Sequence, residues 1–348
     1  MKYYIGLDAH SSTSTFAVVN ESGECVLRET VKTSEQSLVR VINQIHGERH
    51  MTLEESSISQ WLFVQLKDKV DRLLICNPTY IAKKQGAKTD FRDALHLAQE
   101  LRTNHLQPVF HDTSHWMELR TSVSGYLDIV EEIVRFKNRL KALFRTEAIA
   151  TDENSFYRNQ ERVKELKNPS AKFVAENLFR QVEYLEKEKE KYKEVFERNR
   201  KKYRPIRNLM TIPGISIIRA NIIAAIVCQP ARFDNKHKFW GYCMLVRHIQ
   251  ESGGRIYGNK RFFGRRELRN IFIGAAENAL RLEGQLRDRY EALRAKGVQH
   301  KEAKLNLARQ IAAIALCLLK NNDKYSENYG EQLKERKKLR LEFFNQAL

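Results

Sequence analysis

The stretch Tyr3-Tyr4-Ile5-Gly6-Leu7-Asp8-Ala9-His10 decides the fold, because it runs apolar up to a single carboxylate, Asp8. An unpaired buried carboxylate is costly, so an aspartate that ends a buried strand either caps the turn beyond it or belongs to a site. Ser11 to Thr15 lead into a second strand over 16–19, and the turn at 20–24 leads into a third over 25–31. Three short strands joined by tight turns form a β-meander.

Ser34 then caps a helix whose apolar residues Leu38, Val41, Ile42 and Ile45 recur at helical spacing, ending near Gly47. Residues 50–53 form a short strand with Glu54 at its end, as Asp8 ends the first. Ser56 or Ser57 starts a helix through Trp61, Leu62 and Leu66, and residues 72–76 make a strand closed by Asn77-Pro78. A basic loop over 83–88 leads to Thr89, where a helix begins that runs to about Asn104. The order βββαβαβα, with acids on the first and fourth strands and on the last helix, is an RNase H-like mixed sheet. Its first and fourth strands end side by side, with the helix across them.

Asp90 and Asp93 are three residues apart on the first turn of that helix and share a face. The helix dipole favours carboxylates there, but two on one face repel unless a cation lies between them. Asp8, Glu54, Asp90 and Asp93 together are hard oxygen ligands suited to a pair of Mg²⁺ ions about 4 Å apart, the arrangement for in-line attack on a phosphodiester.

Residues 113–150 read as one long helix with a heptad seam at Leu119, Val123, Tyr126, Val130, Ile133, Lys137, Leu140 and Phe144. The pattern returns after a polar break at Leu178, Val182, Leu185, Lys189, Tyr192 and Phe196. Two such helices make a coiled-coil-like hairpin that pairs with itself or with another subunit, or a packed bundle within the chain. The domain division is therefore 1–110, 111–203 and 204–348, the last mainly helical.

Of the net charge of +18, residues 1–110 contribute nothing, 111–202 contribute +3 and 203–348 contribute +15. So lopsided an excess locates a polyanion partner at the C-terminal end. No basic amphipathic anchor accompanies it, which favours nucleic acid over a membrane. Between 247 and 269 seven basic residues, Arg247, Arg255, Lys260, Arg261, Arg265, Arg266 and Arg269, face two acids, with Tyr257, Phe262 and Phe263 interleaved. That composition suits phosphate contacts plus base stacking. A helix over 264–280 leaves its arginines for phosphates. Pro213-Gly214 between helices is either a phosphate-cradling turn or a plain helical corner, and Ser252-Gly253-Gly254 reads by composition as a flexible turn. The five cysteines include no C-x-x-C pair, which argues for reduced thiols in the cytoplasm. No apolar run approaches the span of a bilayer.

These residues carry a resemblance. Ile5-Gly6-Leu7-Asp8, Leu53-Glu54-Glu55-Ser56-Ser57, Asn77-Pro78 and Lys88-Thr89-Asp90-Phe91-Arg92-Asp93-Ala94 resemble the RuvC-like DEDD domain of IS110-family transposases, relatives of the Piv invertases. Ile212-Pro213-Gly214-Ile215, Ser252-Gly253-Gly254 and Leu268-Arg269 resemble the second transposase domain of that family. The resemblance implies that Asp8, Glu54, Asp90 and Asp93 bind metal and that Ser252 joins covalently to DNA. No histidine is assigned as the base of Ser252; His248 lies four residues away. It also implies a homo-oligomer, dimer or tetramer, whose active sites combine domains of different subunits. Double-stranded donor and target DNA, and a structured guide (bridge) RNA, would be its partners in a prokaryotic cytoplasm, at the nucleoid. The sequence departs from the family pattern at Glu55, which leaves either glutamate as ligand with Glu54 preferred, and at Ser216, Arg247 and Glu251. A RuvC-type two-metal nuclease without a covalent intermediate, and a non-catalytic nucleic-acid-binding protein, are the competing readings.

Overall fold

A computed structural model describes residues 1–80, 89–112, 116–151, 156–246, 248–260 and 264–329. They form two compact units, Met1–His115 and Trp116–Leu348.

In the first unit the strands are β1 (Lys2–Ala9), β2 (Thr13–Val19), β3 (Cys25–Lys32), β4 (Glu48–Glu54) and β5 (Arg72–Cys76), with helices α1 (Glu35–Asn43), α2 (Ser59–Leu66) and α3 (Asp90–Arg102). The sheet is mixed, in the order β3-β2-β1-β4-β5, antiparallel through the meander and parallel from β1 to β4 to β5. This is the RNase H-like arrangement expected from the acid-ended strands. Alternation along β1 sends Ile5 and Leu7 into a core with Leu38, Val41, Ile42, Leu62 and Leu66 of α1 and α2. Gly6 and Asp8 point to the other face, where α3 packs.

In this unit the end of α1 and the start of α2 differ from the sequence reading, and in the second unit the long helix read over 113–150 ends at Arg145. Helix α1 stops at Asn43, because Gln44 and Ile45 turn back onto the carbonyls of Val41 and Ile42, so Ile45 reaches the core from a turn. Helix α2 begins at Ser59 because the Ser56 carbonyl accepts from both the amide and the hydroxyl of Ser59, which closes a turn before the helix. Ser34 and Thr89 are N-caps, accepting from the amides of Ser37 and Arg92.

In the second unit α4 (Trp116–Arg145) and α5 (Pro169–Lys202) run antiparallel, as the ring pairs Trp116–Tyr203, Tyr126–Phe196 and Phe144–Phe179 require. The heptad seam is thus filled within the chain. Lys137 in that seam is matched by Glu186, 2.8 Å from its Nζ, and Lys189 pairs with the same carboxylate. The tip is not merely a polar break: Phe156, Val163 and Leu166 are buried against Leu140, Phe144 and Phe179. At its base Leu119, Val123 and Phe196 join the core of α6 (Arg204–Leu209), α7 (Ile217–Val227), α8 (Lys236–Tyr242), α9 (Arg266–Ala279), α10 (Gln285–Ala295) and α11 (His300–Asn321). Inserted among these helices is a two-stranded hairpin, β6 (His248–Ser252) and β7 (Arg255–Lys260), which the helical reading of this region did not include. Among the described residues no helix is long and apolar enough to cross a membrane.

Candidate metal centre and nucleic-acid face

The first site starts from a missing side chain. A Cβ on Gly6 would lie 1.9 Å from the Ala94 carbonyl oxygen and 2.6 Å from the Ala98 amide nitrogen. Only glycine lets α3 settle this closely on β1. The close approach brings the first turn of α3, with Asp90 and Asp93, over the end of β1 where Asp8 emerges two residues later on the same face.

One ligand atom each from Asp8, His10 and Asp90 lies within 4.8 Å of the others. Asp8 is the most enclosed of the three, its side chain 22% exposed, and its Oδ2 is 3.5 Å from His10 Nε2. Burial raises the Asp8 carboxyl above its ordinary value; His10 opposes the rise, and the charges of Asp90 and Asp93 add to it. The cluster sets the carboxylates of Asp8, Asp90 and Asp93 against one imidazole, and its donors are chiefly carboxylate oxygens. Both properties fit a hard divalent cation. Such an ion would be held by Asp8 and Asp90, with Asp93 near enough to act on Asp8 electrostatically.

Glu54 stands outside that tight group, but the parallel register Gly6↔Thr52 and Leu7↔Leu53 carries it to the end of β4 beside Asp8. Its charge is felt by the neighbouring Cys76 thiol, which burial pushes up to about 11. Glu55 is committed elsewhere: its Oε2 is 3.0 Å from His111 Nε2 and accepts from the Ser59 hydroxyl at 3.1 Å. Sequence reasoning missed His10 and the role of Gly6. His10 lies one residue beyond β1, past the reach of strand alternation, and it is the turn to Thr13 that returns it to Asp8.

The second site lies in the other unit. Ser252 and Arg255 are directly opposed across a two-residue turn in which Gly253 and Gly254 have φ of +56° and +72°. Positive φ at both central residues is the turn that matches strand twist, and it favours glycine. Ser252 is exposed at this tip, and Cβ atoms added to either glycine would meet nothing within 4 Å. The register shifts between Gln250 and Glu251, with Tyr257 as the extra residue on β7, and Ile256 and Tyr257 are 68% and 71% exposed.

The hairpin rises from fixed ground. On one side Arg309 Nε donates to the Leu245 carbonyl at 2.8 Å; on the other the Arg265 amide donates to the Tyr242 carbonyl at 2.7 Å. Helix α9 buries Leu268, Phe272 and Ala276 and leaves Arg265 and Arg266 exposed and Arg269 half-buried. Arg247, Arg261, Phe262 and Phe263 lie outside the described residues, as does Lys88, and of Lys260 only the backbone is described. The Pro213-Gly214 turn is a packing corner: a Cβ on Gly214 would stand 2.2 Å from the Ala275 carbonyl oxygen, and Arg219 donates to the Gly214 carbonyl.

Comparison with known families matches both units. Residues 5–147 are similar to a transposase family of DEDD type from IS110 elements, and residues 206–291 to the transposase family described as IS116/IS110/IS902. No curated protein matches the chain.

Proposed function

Because the chain belongs to the IS110/IS116/IS902 family of transposases, we propose that it recombines DNA for an insertion sequence, cutting with an acidic metal centre and rejoining through a serine. The observation that carries this reading is the meeting of Asp8 and Asp90 at the ends of β1 and α3 with His10 beside them. Asp8, Glu54, Asp90 and Asp93 form the metal-binding set, probed most simply with Mg²⁺. Glu54 is preferred over Glu55 because His111 and Ser59 already engage Glu55. When bound, divalent ions supply Lewis acidity toward a phosphodiester.

The chain's own groups then divide the work. The carboxylates fix the ions, and the close α3–β1 packing at Gly6 fixes the carboxylates. Ser252 Oγ forms a bond to phosphorus as the bond from phosphorus to the leaving deoxyribose oxygen breaks. The serine proton passes to water and the leaving oxygen takes one up. Attack by a deoxyribose hydroxyl on the phosphoserine reverses the step and releases the serine, so no high-energy cofactor is consumed. Arg255, paired with Ser252 across the turn, balances charge on the transferring phosphate in this reading. Lys260, Arg265, Arg266 and Arg269, with Arg247 and Arg261, supply further phosphate contacts.

Donor and target DNA and a structured guide RNA are the partners this reading names, in a prokaryotic cytoplasm. The +15 charge of residues 203–348 supports it. Homo-oligomerisation through the helical hairpin is supported by Phe173 and Tyr184, 66% and 62% exposed on α5. The test is cleavage of element-end DNA with copurified RNA, with and without Mg²⁺. Asp90→Ala is expected to abolish cleavage and keep nucleic-acid binding; undiminished cleavage by this variant would refute the metal centre.

A further inference from the structure

His10 has no place in an all-carboxylate metal site, yet the fold puts it there. It follows β1 directly, and its amide donates to the Thr13 carbonyl at 2.9 Å, which closes the turn into β2. That turn returns the imidazole to Asp8, with Nε2 3.5 Å from Oδ2. The side chain is 58% exposed, so packing does not hold it in place.

The distances fit ligation. Donors around one octahedral ion at ~2.1 Å lie roughly 3.0 Å apart when adjacent and roughly 4.2 Å apart when opposite. The Asp8–His10 separation of 3.5 Å falls inside that range. The outer limit of 4.8 Å for the Asp8, His10 and Asp90 donors exceeds it by about 0.6 Å, within side-chain adjustment.

The identity of the donor matters. Oxygen-only sites suit Mg²⁺, whereas an imidazole nitrogen adds more affinity for first-row transition cations, rising from Mn²⁺ to Co²⁺, than for Mg²⁺. Resting on the reading of Asp8 and Asp90 as a metal centre, we propose that His10 is a nitrogen donor of that centre and shifts its preference toward Mn²⁺ or Co²⁺ over Mg²⁺. The nitrogen would replace one water of an ion that the carboxylates alone would leave more fully hydrated.

The test uses the full chain with Mn²⁺ as probe. Pulsed electron paramagnetic resonance should detect nitrogen hyperfine coupling to bound Mn²⁺, absent in His10→Ala. That variant, with an unchanged melting temperature in the absence of metal, should bind Mn²⁺ about tenfold more weakly while Mg²⁺ affinity moves much less. Asp8→Asn should lose both ions. If Asp8→Asn loses Mn²⁺ but the unmutated protein shows no nitrogen coupling, the role of His10 is overturned and the metal centre stands. If Asp8→Asn binds Mn²⁺ undiminished, the metal centre itself fails.

Discussion

Replacing Gly6 by alanine adds one methyl group at the narrowest point between β1 and α3. Its Cβ would lie 1.9 Å from one backbone atom of α3 and 2.6 Å from another. No side chain can swing aside to relieve this. Ordinary contact begins at 3.4 Å, so in a close-packed interior the start of α3 must retreat by about 1.5 Å. Asp90 moves with it while Asp8 and His10 stay with β1, which spreads three donors now within 4.8 Å of each other. Overpacking of this kind costs about 1–3 kcal/mol, and a misplacement of about 1 Å at a reacting centre costs about 10²-fold in rate. Gly6→Ala should therefore melt at a lower temperature, remain folded at room temperature, and lose about a hundredfold in metal-dependent cleavage. Thermal melts, Mn²⁺ titration and cleavage of labelled DNA read the three effects separately. A lowered melt with undiminished cleavage would refute the argument that this packing sets the site.

Burial makes the folded protein hold the Asp8 proton more tightly than the unfolded chain, so the associated stability is present below pH 3.8 and lost as pH rises through the raised pKa. Metal-free Asp8→Asn should accordingly melt above the unmutated protein at neutral pH, with the gap closing on acidification. Divalent metal should reverse the order, since linkage of about 2.7 kcal/mol at a hundred times Kd is open only to the protein that binds. An Asp8→Asn melt below that of the metal-free unmutated protein at neutral pH would contradict this. Replacing Arg265, Arg266 and Arg269 together should lower the slope of log affinity against log salt by roughly one unit for each phosphate these arginines neutralise; an unchanged slope would put the polyanion elsewhere. Phe156→Ala, at a fully buried ring, should cost about 3–5 kcal/mol and speed amide exchange at the hairpin tip. Uniform exchange throughout the chain would show that the tip is not a separate packing unit.

The sheet was legible because its information is local and periodic. The ends of β5 fall at Arg72 and Cys76 as the apolar run indicates, and Ser34 and Thr89 cap helices as their side chains allow. The acids of β1 and α3 were legible because an aspartate after a buried run needs a reason. His10 was not, because its importance arises only when the turn to Thr13 folds it back. The hairpin around Ser252 was not, because its strands lack alternation and its glycines read as a loop. The tip of the helical hairpin was missed because Phe156, Val163 and Leu166 follow no helical or strand period. Their burial is decided by residues on the two flanking helices, which meet only when the hairpin closes.

The central claim is that Ser252 becomes joined to DNA while the acidic centre permits the reaction. The most direct measurement incubates the protein with its RNA, divalent metal and end-labelled DNA, then denatures and looks for label that migrates with the polypeptide. The account predicts a labelled protein band in the unmutated chain, lost in Ser252→Ala and in Asp90→Ala with nucleic-acid binding retained in both. A band of unchanged intensity in Ser252→Ala, or DNA cut efficiently with no covalent band at all, would contradict it and return the protein to hydrolytic cleavage.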